Sequence, residues 1–226
     1  MSVLAESPSG SSSAADPAAD ESAPPTGPRF GTVWLAAAVV IGLALGLVAG
    51  LLVVPGLTRP GDDSAEAGFA RDMSTHHAQA VEMAMLAHEK GNDPAIRTVG
   101  GDIAITQQGQ IGRMQAWLRE WQLNPTGSQP RMAWMPDGQA SMRDGLMPGM
   151  ATDAERAQLR TVTGRAFDIL FLQLMLKHHL GGIHMAQGVL KETGDDEVRL
   201  LAQSMVDGQQ REIAMFQALL KQLGAS

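Results

Sequence analysis

Two pairs of adjacent histidines, each set among methionines, are the residues of this sequence best suited to chemistry. The first pair lies in MSTHHAQAVEMA (residues 73–84) and the second in MLKHHLGGIHMA (residues 175–186). Only six histidines occur among 226 residues, and four of them form these pairs at one spacing from the flanking methionines. Thioether sulfur is a soft ligand that favours Cu(I), and imidazole binds copper in either oxidation state. The two segments therefore predict a copper site, and Ag(I) is expected to mimic Cu(I).

The spacing of these residues places them on one side of a helix. Each residue advances by about 100° around an α-helix, so the His and Met side chains of each segment share one sector. Gly182 and Ala186 are small and are expected to leave room beside the second group. If the two helices face each other, up to four imidazoles and four thioethers converge. The candidate ligands are His76, His77, His178, His179, Met73, Met83, Met175 and Met185.

Simple packing is the alternative explanation for the same residues. Methionine is a flexible filler of apolar cores, and an inward-facing histidine is often only a hydrogen-bonded structural residue. A buried imidazole costs desolvation free energy unless it finds a partner, however, and both pairs recur in the same frame. We therefore favour metal binding and keep open a non-catalytic interaction module in which these side chains only pack.

A second group of methionines lies in the Pro- and Gly-rich stretch that follows Gln122. It contains MAWM and MPGM, and two thioethers at such spacing in a flexible loop can meet one Cu(I). Met147 and Met150 are therefore further candidate ligands, and packing is expected to explain this group less well because a loop has little core to fill. His88 and His184 have no counterpart in the other segment and are assigned to the surface or to a second site.

Composition and charge exclude several other functions. Cysteine is absent, which rules out disulfides, thiolate metal sites and thiol catalysis. The formal net charge is -7 and no basic cluster occurs, so nucleic acid is not an expected partner. No Glu-x-x-His motif is present, which argues against a carboxylate-bridged di-iron oxidase. We expect a protein that is not an enzyme, although a copper oxidase stays open because a vacant coordination position cannot be read from sequence.

The elements that must position the histidines form a repeat. A shift of 102 residues superimposes the two segments without a gap, and the register continues through Asp93 with Asp195 and Ile111 with Ile213. Apolar periodicity and capping residues predict four helices, at about 64–90, 94–121, 153–192 with a break near Gly164, and 195–223. Two αα-hairpins joined by a long crossover predict an all-α, ferritin-like four-helix bundle over residues 64–224, with a Met-rich crossover at 122–151.

The residues before the bundle change character twice. Residues 1–30 are rich in Ser, Ala, Pro and Asp and predict a disordered arm. Residues 31–54 include an uncharged stretch of about 21 residues, which predicts a transmembrane helix, and residues 55–63 form a linker. We expect a single-pass anchor in the cell membrane with the C-terminal domain outside the cytoplasm, and a cleaved signal peptide is the alternative. Three glycines admit pairing of two such helices into a homo-oligomer: Gly42, Gly46 and Gly50.

These motifs resemble the family called domain of unknown function 305, whose members carry Met-x-x-His-His and Met-Ala in each of two halves. FDILFLQLMLKHHLGGIHMA (residues 167–186) and MPGM (residues 147–150) are very similar to its pattern. The resemblance covers residues 69–223 and implies a ferritin-like bundle, exported or membrane-anchored, with copper binding or tolerance in some members. In the second helix of each half the family tends to have Gln-x-x-Glu-Ile, and Gln110 stands where Glu212 fits that pattern.

The combined expectation is a membrane-anchored, extracytoplasmic protein that sequesters or chaperones copper or confers tolerance to it. Such a role implies metal ions as the ligand and a second protein that delivers or receives copper. The substitution at Gln110 removes a carboxylate from one half only, so the two halves are not expected to form identical sites.

Overall fold

The computed structural model describes residues 31–52 and 59–225, and within them the regular elements are helices. They are α1 (Thr32–Leu52), α2 (Ala65–Lys90), α3 (Pro94–Glu120), α4 (Gly138–Ser141), α5 (Asp153–Thr161), α6 (Gly164–Glu192) and α7 (Asp196–Gln222). The predicted all-α class is confirmed. Three parts of the predicted organisation lie outside the described residues: the disordered arm at 1–30, the last two residues of the transmembrane helix at 53–54, and positions 55–58 of the linker.

The helix α1 belongs to a compact unit separate from the rest of the chain. It has 21 residues, which at 1.5 Å per residue span about 31 Å, close to the thickness of a bilayer hydrocarbon core. None of its apolar stretch from Thr32 to Gly50 is buried within the protein. By length and composition α1 can cross a membrane, and a signal sequence near the N-terminus has the same properties.

Three of the four long helices begin at a polar residue whose side chain caps the helix, whereas α6 begins without such a hydrogen bond. The Ser64 hydroxyl accepts from the backbone N–H of Ala67, and the carboxylates of Asp93 and Asp195 accept from backbone N–H groups at the starts of α3 and α7. Side-chain oxygens at such positions satisfy N–H groups that have no partner inside the helix. The break expected near Gly164 is present, because α5 ends at Thr161 and α6 begins at Gly164.

The four long helices form the predicted bundle. α2 packs against α3 and α6 packs against α7, so each pair is a hairpin, and α2 packs against α6 to join the two hairpins. The apolar core has two parts. The methionine-rich cluster contains Phe69, Trp117 and the residues Met73, Met114, Met132, Met135, Met147, Met150, Met185 and Met205. The phenylalanine-rich cluster contains Phe167, Phe171, Phe216, Met83 and Met175.

Each hairpin contributes one carboxylate that binds the interhelical turn of the other hairpin. Glu66 on α2 accepts hydrogen bonds from the Thr193 hydroxyl at 2.7 Å and the Gly194 N–H at 3.2 Å. Asp168 on α6 accepts from the two backbone N–H groups of the 92–93 turn, at 2.8 and 3.0 Å. Hydrogen bonds to a charged acceptor are the stronger ones. These reciprocal contacts fix how far α2 and α6 slide along each other, and therefore which side chains face each other between them.

The crossover between the hairpins is packed rather than loose. Asp72 on α2 accepts from the Met132 N–H at 2.7 Å and the Trp134 ring N–H at 2.9 Å, and burial raises the pKa of its carboxyl. At the other end the Gln79 amide bonds both to the N–H and to the carbonyl of Ala151, at 2.7 and 3.0 Å. The crossover is therefore tied to α2 at both ends.

The expectation that a loop has little core to fill is wrong for this crossover. Met132, Met135, Met147 and Met150 are all buried in the methionine-rich cluster. Burying a methionine side chain contributes about 1.5–3 kcal/mol, so these residues stabilise the fold whether or not any of them binds metal. The crossover also contains the short helix α4, in a stretch that shows no helical periodicity.

Candidate metal centre

The four paired histidines form a buried layer between the two clusters. His76, His77, His178 and His179 are each at most 1% exposed. On each helix the pair follows a methionine of one cluster and precedes small or apolar residues of the other, so the imidazoles lie at the boundary. The ring centroids of His76 and His178 are 3.8 Å apart, and those of His76 and His77 are 6.3 Å apart. The structure thus brings together the histidines of both segments.

The methionines of the two segments are divided by this layer. Met73 and Met185 belong to the methionine-rich cluster, whereas Met83 and Met175 belong to the phenylalanine-rich cluster. The early methionine of each motif is thus grouped with the late methionine of the other, because α2 and α6 pass each other in opposite directions. The expected convergence of four thioethers on one point is therefore wrong, and each side of the layer receives one thioether from each helix.

Met147 and Met150 join the methionine-rich side of the layer. The MPGM segment that carries them lies against α6, where a Cβ atom on Gly181 would overlap the carbonyl oxygen of Pro148. Gly149 has φ +76°, a left-handed conformation that favours glycine, and its Cα faces the backbone of α6. The two thioethers therefore belong to the same cluster as Met73 and do not form a separate loop group.

A hydrogen bond from His76 holds the MPGM segment over the layer. The His76 Nε2 lies 2.9 Å from the carbonyl oxygen of Pro148. A carbonyl can only accept, so the Nε2 carries the proton and the Nδ1 keeps a lone pair. Among the described residues this Nδ1 has no hydrogen-bond partner.

His77 and His179 make equivalent contacts in the two hairpins. The His77 Nε2 lies 2.7 Å from the amide oxygen of Gln110, and the His179 Nε2 lies 2.7 Å from a carboxylate oxygen of Glu212. Each oxygen accepts the Nε2 proton, which leaves a lone pair on the Nδ1 of each ring. Phe216 packs against His179 in a T-shaped arrangement, with ring centroids 5.0 Å apart. Both rings are therefore held in one orientation and one tautomer.

The sequence pattern marks Gln110 only as a departure from the family motif and does not reveal its contact with His77. Its amide oxygen makes the same contact as the carboxylate of Glu212, with the same separation of 33 residues from its histidine. That equal separation in both halves was the available signal. The expectation that Gly182 leaves room for a ligand is also wrong, because the Gln209 side chain occupies the space beside it.

Buried ring nitrogens without partners are the main chemical feature of the layer. Within the described part of the chain, no hydrogen-bond partner is present for four of them: His76 Nδ1, His77 Nδ1, His178 Nε2 and His179 Nδ1. A buried polar atom left unpaired costs about 1–3 kcal/mol, and such atoms are uncommon in folded proteins. A bound metal ion would satisfy these lone pairs, so the residues fit a metal.

Burial favours the neutral form of three of these imidazoles. It lowers the pKa of His76 to about 4 and that of His77 to about 3, with a smaller effect from neighbouring histidines. The pKa of His178 is also lowered well below its ordinary value, again mainly by burial. Neutral imidazole is the form that ligates metals, so near neutral pH these three rings do not need to lose a proton before they bind a metal ion.

The donor set selects among metals. No three His, Asp or Glu side chains in residues 31–52 and 59–225 are grouped so that they alone could hold one metal ion. The expected four-imidazole site is therefore not what the structure shows. A site here must combine imidazole with thioether, a soft donor set that suits Cu(I) better than Zn²⁺, which gains little from methionine.

A cleft between α3 and α7 leads towards the layer. Its volume is about 450 Å³, and it is lined by Gln110 and Glu212, the partners of His77 and His179, together with Met205 and Met215. The guanidinium of Arg211 also lines the cleft. The cleft therefore exposes to solvent the two side chains that hold His77 and His179.

The chain is similar to several known proteins. The family model described as "Domain of unknown function (DUF305)" matches residues 66–220. The crystal structure named "putative secreted protein DUF305" from Streptomyces coelicolor is 43% identical, with a TM-score of 0.67, and the match covers 74% of this chain and 98% of that one. A DUF305 fragment from Deinococcus radiodurans is 31% identical, with a TM-score of 0.58 and coverage of 70% and 96%.

CopM in its Cu(II)-bound form is a further similar structure, with 25% identity, a TM-score of 0.56 and coverage of 70% of this chain and 97% of that one. CopM has also been solved in Cu(I)-bound and Ag-bound forms, which share the fold. No protein of curated function matches the sequence significantly. Because the family model spans nearly the whole bundle and a 43% identical DUF305 structure is matched over almost its full length, the chain belongs to the DUF305 family.

Proposed function

We propose that this protein binds copper outside the cytoplasm, holding Cu(I) in the histidine layer and thereby sequestering it, passing it to a partner protein or conferring tolerance. The observation that carries the proposal is the set of four buried ring nitrogens without partners, between groups of thioethers. Copper is the cargo, and the protein is not an enzyme.

The nitrogen and sulfur donors for the ion come from different residues. Nitrogen donors come from the unpartnered ring nitrogens of His76, His77, His178 and His179, with no more than two of these rings on one ion. Gln110 and Glu212 orient two of the rings. Thioethers on either side supply soft donors: Met73, Met185, Met147 and Met150 on one side, and Met83 and Met175 on the other. Burial excludes water, which would otherwise compete for the ion and favour Cu(II). The copper- and silver-bound forms of CopM support this assignment.

The location outside the cytoplasm rests on α1 and on chemistry. An apolar helix of 21 residues suits a single-pass anchor in the cell membrane, with the bundle on the outer side. A soft site built without cysteine also suits an oxidising compartment, where free thiols are lost. The name of the Streptomyces coelicolor relative, "putative secreted protein", supports export as well.

The test is an anaerobic Cu(I) competition titration of the full chain in detergent. The variant His77→Ala/His179→Ala is expected to lose tight Cu(I) binding, because two of the four unpartnered nitrogens are removed. His88→Ala is the matched control, since His88 is exposed and its ring bonds to the backbone carbonyl of Arg97 rather than to a residue of the layer. Unchanged affinity in the double variant would remove the proposal.

Thermal unfolding gives an independent readout. A ligand that binds only the folded state raises the melting temperature, so Cu(I) and Ag(I) are expected to stabilise the native chain and not the double variant. A module in which His and Met only pack would show no shift with either ion. The metal-free variant must keep the helical circular dichroism of the native protein for the comparison to count.

A further inference from the structure

A second group of potential metal ligands lies at the surface, away from the histidine layer. His184 on α6 meets Asp137 and Met135 of the crossover at a pocket of about 230 Å³. The His184 Nε2 and the Asp137 Oδ2 are 3.6 Å apart, which is too long for a hydrogen bond. Among the described residues this Nε2 has no hydrogen-bond partner, although it is shielded from solvent. The imidazole of His184 and the carboxylate of Asp137 therefore lie close together without forming a hydrogen bond.

The Met135 thioether completes the group. Its sulfur lies so close to the backbone of Gly188 that a Cβ atom on that glycine would overlap it. Gly188 is four residues after His184, and residues four apart share a face of a helix. The sulfur of Met135 and the imidazole of His184 therefore lie on the same face of α6, and the glycine is what allows the sulfur to approach.

This group is not a copy of anything in the first hairpin. The position equivalent to His184 is Glu82, whose carboxylate pairs with Arg156 and Arg160, and the position equivalent to Gly188 is Leu86. A structural requirement of the bundle would be expected in both hairpins. The combination of His184, Gly188 and a crossover methionine is found in the second hairpin alone.

We propose that His184, Asp137 and Met135 form a second copper site, at the surface, which takes Cu(II). Nitrogen and oxygen donors suit Cu(II), and a thioether serves as a weaker additional ligand. The Asp137 side chain is 62% exposed, so it can turn towards an incoming ion, and water completes the coordination. Glu192 in the same pocket adds negative charge, while Lys191 offsets part of it.

The surface site differs from the buried layer in the oxidation state that it selects. The layer offers neutral imidazole and thioether donors and excludes water, which suits Cu(I). The surface group offers a carboxylate and access to water, which suits Cu(II). The site stands independently of the histidine layer, since it shares no candidate ligand with it.

The experiment is an aerobic Cu(II) titration of the full chain in detergent, followed by electron paramagnetic resonance and metal analysis. It is carried out in the His77→Ala/His179→Ala background, so that a failure of the buried site leaves the result readable. One equivalent of Cu(II) with nitrogen hyperfine coupling is expected there. Adding His184→Gln should abolish that signal, and Asp137→Asn should weaken binding by about tenfold or more.

His88→Gln in the same background is the matched control and should leave the signal unchanged. Met135→Leu, which keeps the apolar volume, should change the spectrum while the metal-free melting temperature stays within about 2 °C of the parent. A nitrogen-coupled signal that survives His184→Gln, or one that is lost in His88→Gln, would overturn the proposal. Displacement of the Cu(II) by an equal concentration of Zn²⁺ would also overturn it, because copper should bind an N/O/S site more tightly.

Discussion

Gln110 and Glu212 are the hydrogen-bond partners of His77 and His179, and substitutions at these two positions test whether a charged partner strengthens Cu(I) binding. Glu212 and Gln110 make contacts of the same length with equivalent histidines, but only Glu212 carries a charge. A carboxylate that accepts the Nε2 proton strengthens the other ring nitrogen as a donor and balances the charge of a bound cation. We therefore expect Glu212→Gln to weaken Cu(I) binding and Gln110→Glu to strengthen it.

The size of the effect follows from the hydrogen bond itself. A hydrogen bond to a charged group contributes about 1.5–3 kcal/mol, against about 0.5–1.5 kcal/mol for a neutral pair. The difference is about 1 kcal/mol, and 1.4 kcal/mol corresponds to a tenfold change in affinity. Because the Glu212 side chain is 26% exposed, solvent screening lowers the effect below the roughly fivefold change that about 1 kcal/mol would give, and we expect about a threefold change in each direction.

The assay is anaerobic competition for Cu(I) with a chromogenic chelator, using controls that change the same charge elsewhere. Glu89→Gln removes an exposed carboxylate from α2, and Gln108→Glu adds one at an exposed position of α3. Both controls should leave the affinity within about twofold. The reasoning is refuted if Glu212→Gln matches the native affinity, or if Glu89→Gln weakens binding as much as Glu212→Gln does.

Further predictions concern the metal-free fold. The pKa of His76 is 6.5 in the unfolded chain and about 4 in the folded protein, so the unfolded chain binds protons more readily. The contribution of His76 to the free energy of unfolding is therefore complete above pH 6.5 and should fall by about 3 kcal/mol as the pH is lowered to 4. Denaturant titrations at several pH values measure this loss. Asp72→Ala leaves two N–H groups of the crossover without their acceptor and should lower the free energy of unfolding, measured in urea, by about 2–4 kcal/mol. A loss below about 0.5 kcal/mol would contradict the conclusion that Asp72 anchors the crossover. Gly181→Ala should lower the melting temperature, because the new methyl group overlaps the carbonyl of Pro148. Gly112→Ala lies in open space within α3 and should stabilise the folded protein by about 1 kcal/mol. Equal changes in the melting temperatures of the two variants would contradict the packing described.

Much of the fold could be predicted from local signals. Some features depend only on residues close together in the chain, so they can be predicted without knowing what each helix packs against. They are the helical periodicity, the caps at Ser64, Asp93 and Asp195, and the break at Gly164. The doubled His-His spacing likewise indicated which face of two helices would be buried together, because side-chain direction follows from position along a helix. The all-helical bundle follows from these features.

The arrangement of the site could be predicted only in part. Periodicity says which face of a helix is buried, but it does not say what covers that face or in which direction the covering helix runs. The division of Met73 and Met83 between two clusters depends on α2 and α6 passing in opposite directions at one register. That register is set by Glu66 and Asp168, which act across the two hairpins.

The sequence by itself determined the donor types, their spacing and the helices that carry them, because these depend on residues within a few turns of one another. Tertiary structure alone decided that Pro148 lies over His76, that Gln110 matches Glu212, and that His184 meets the crossover. These contacts join residues that are tens of positions apart in the chain. The physical reason is that a buried polar atom is satisfied by whichever group the packed fold brings to it, and no local pattern encodes that choice.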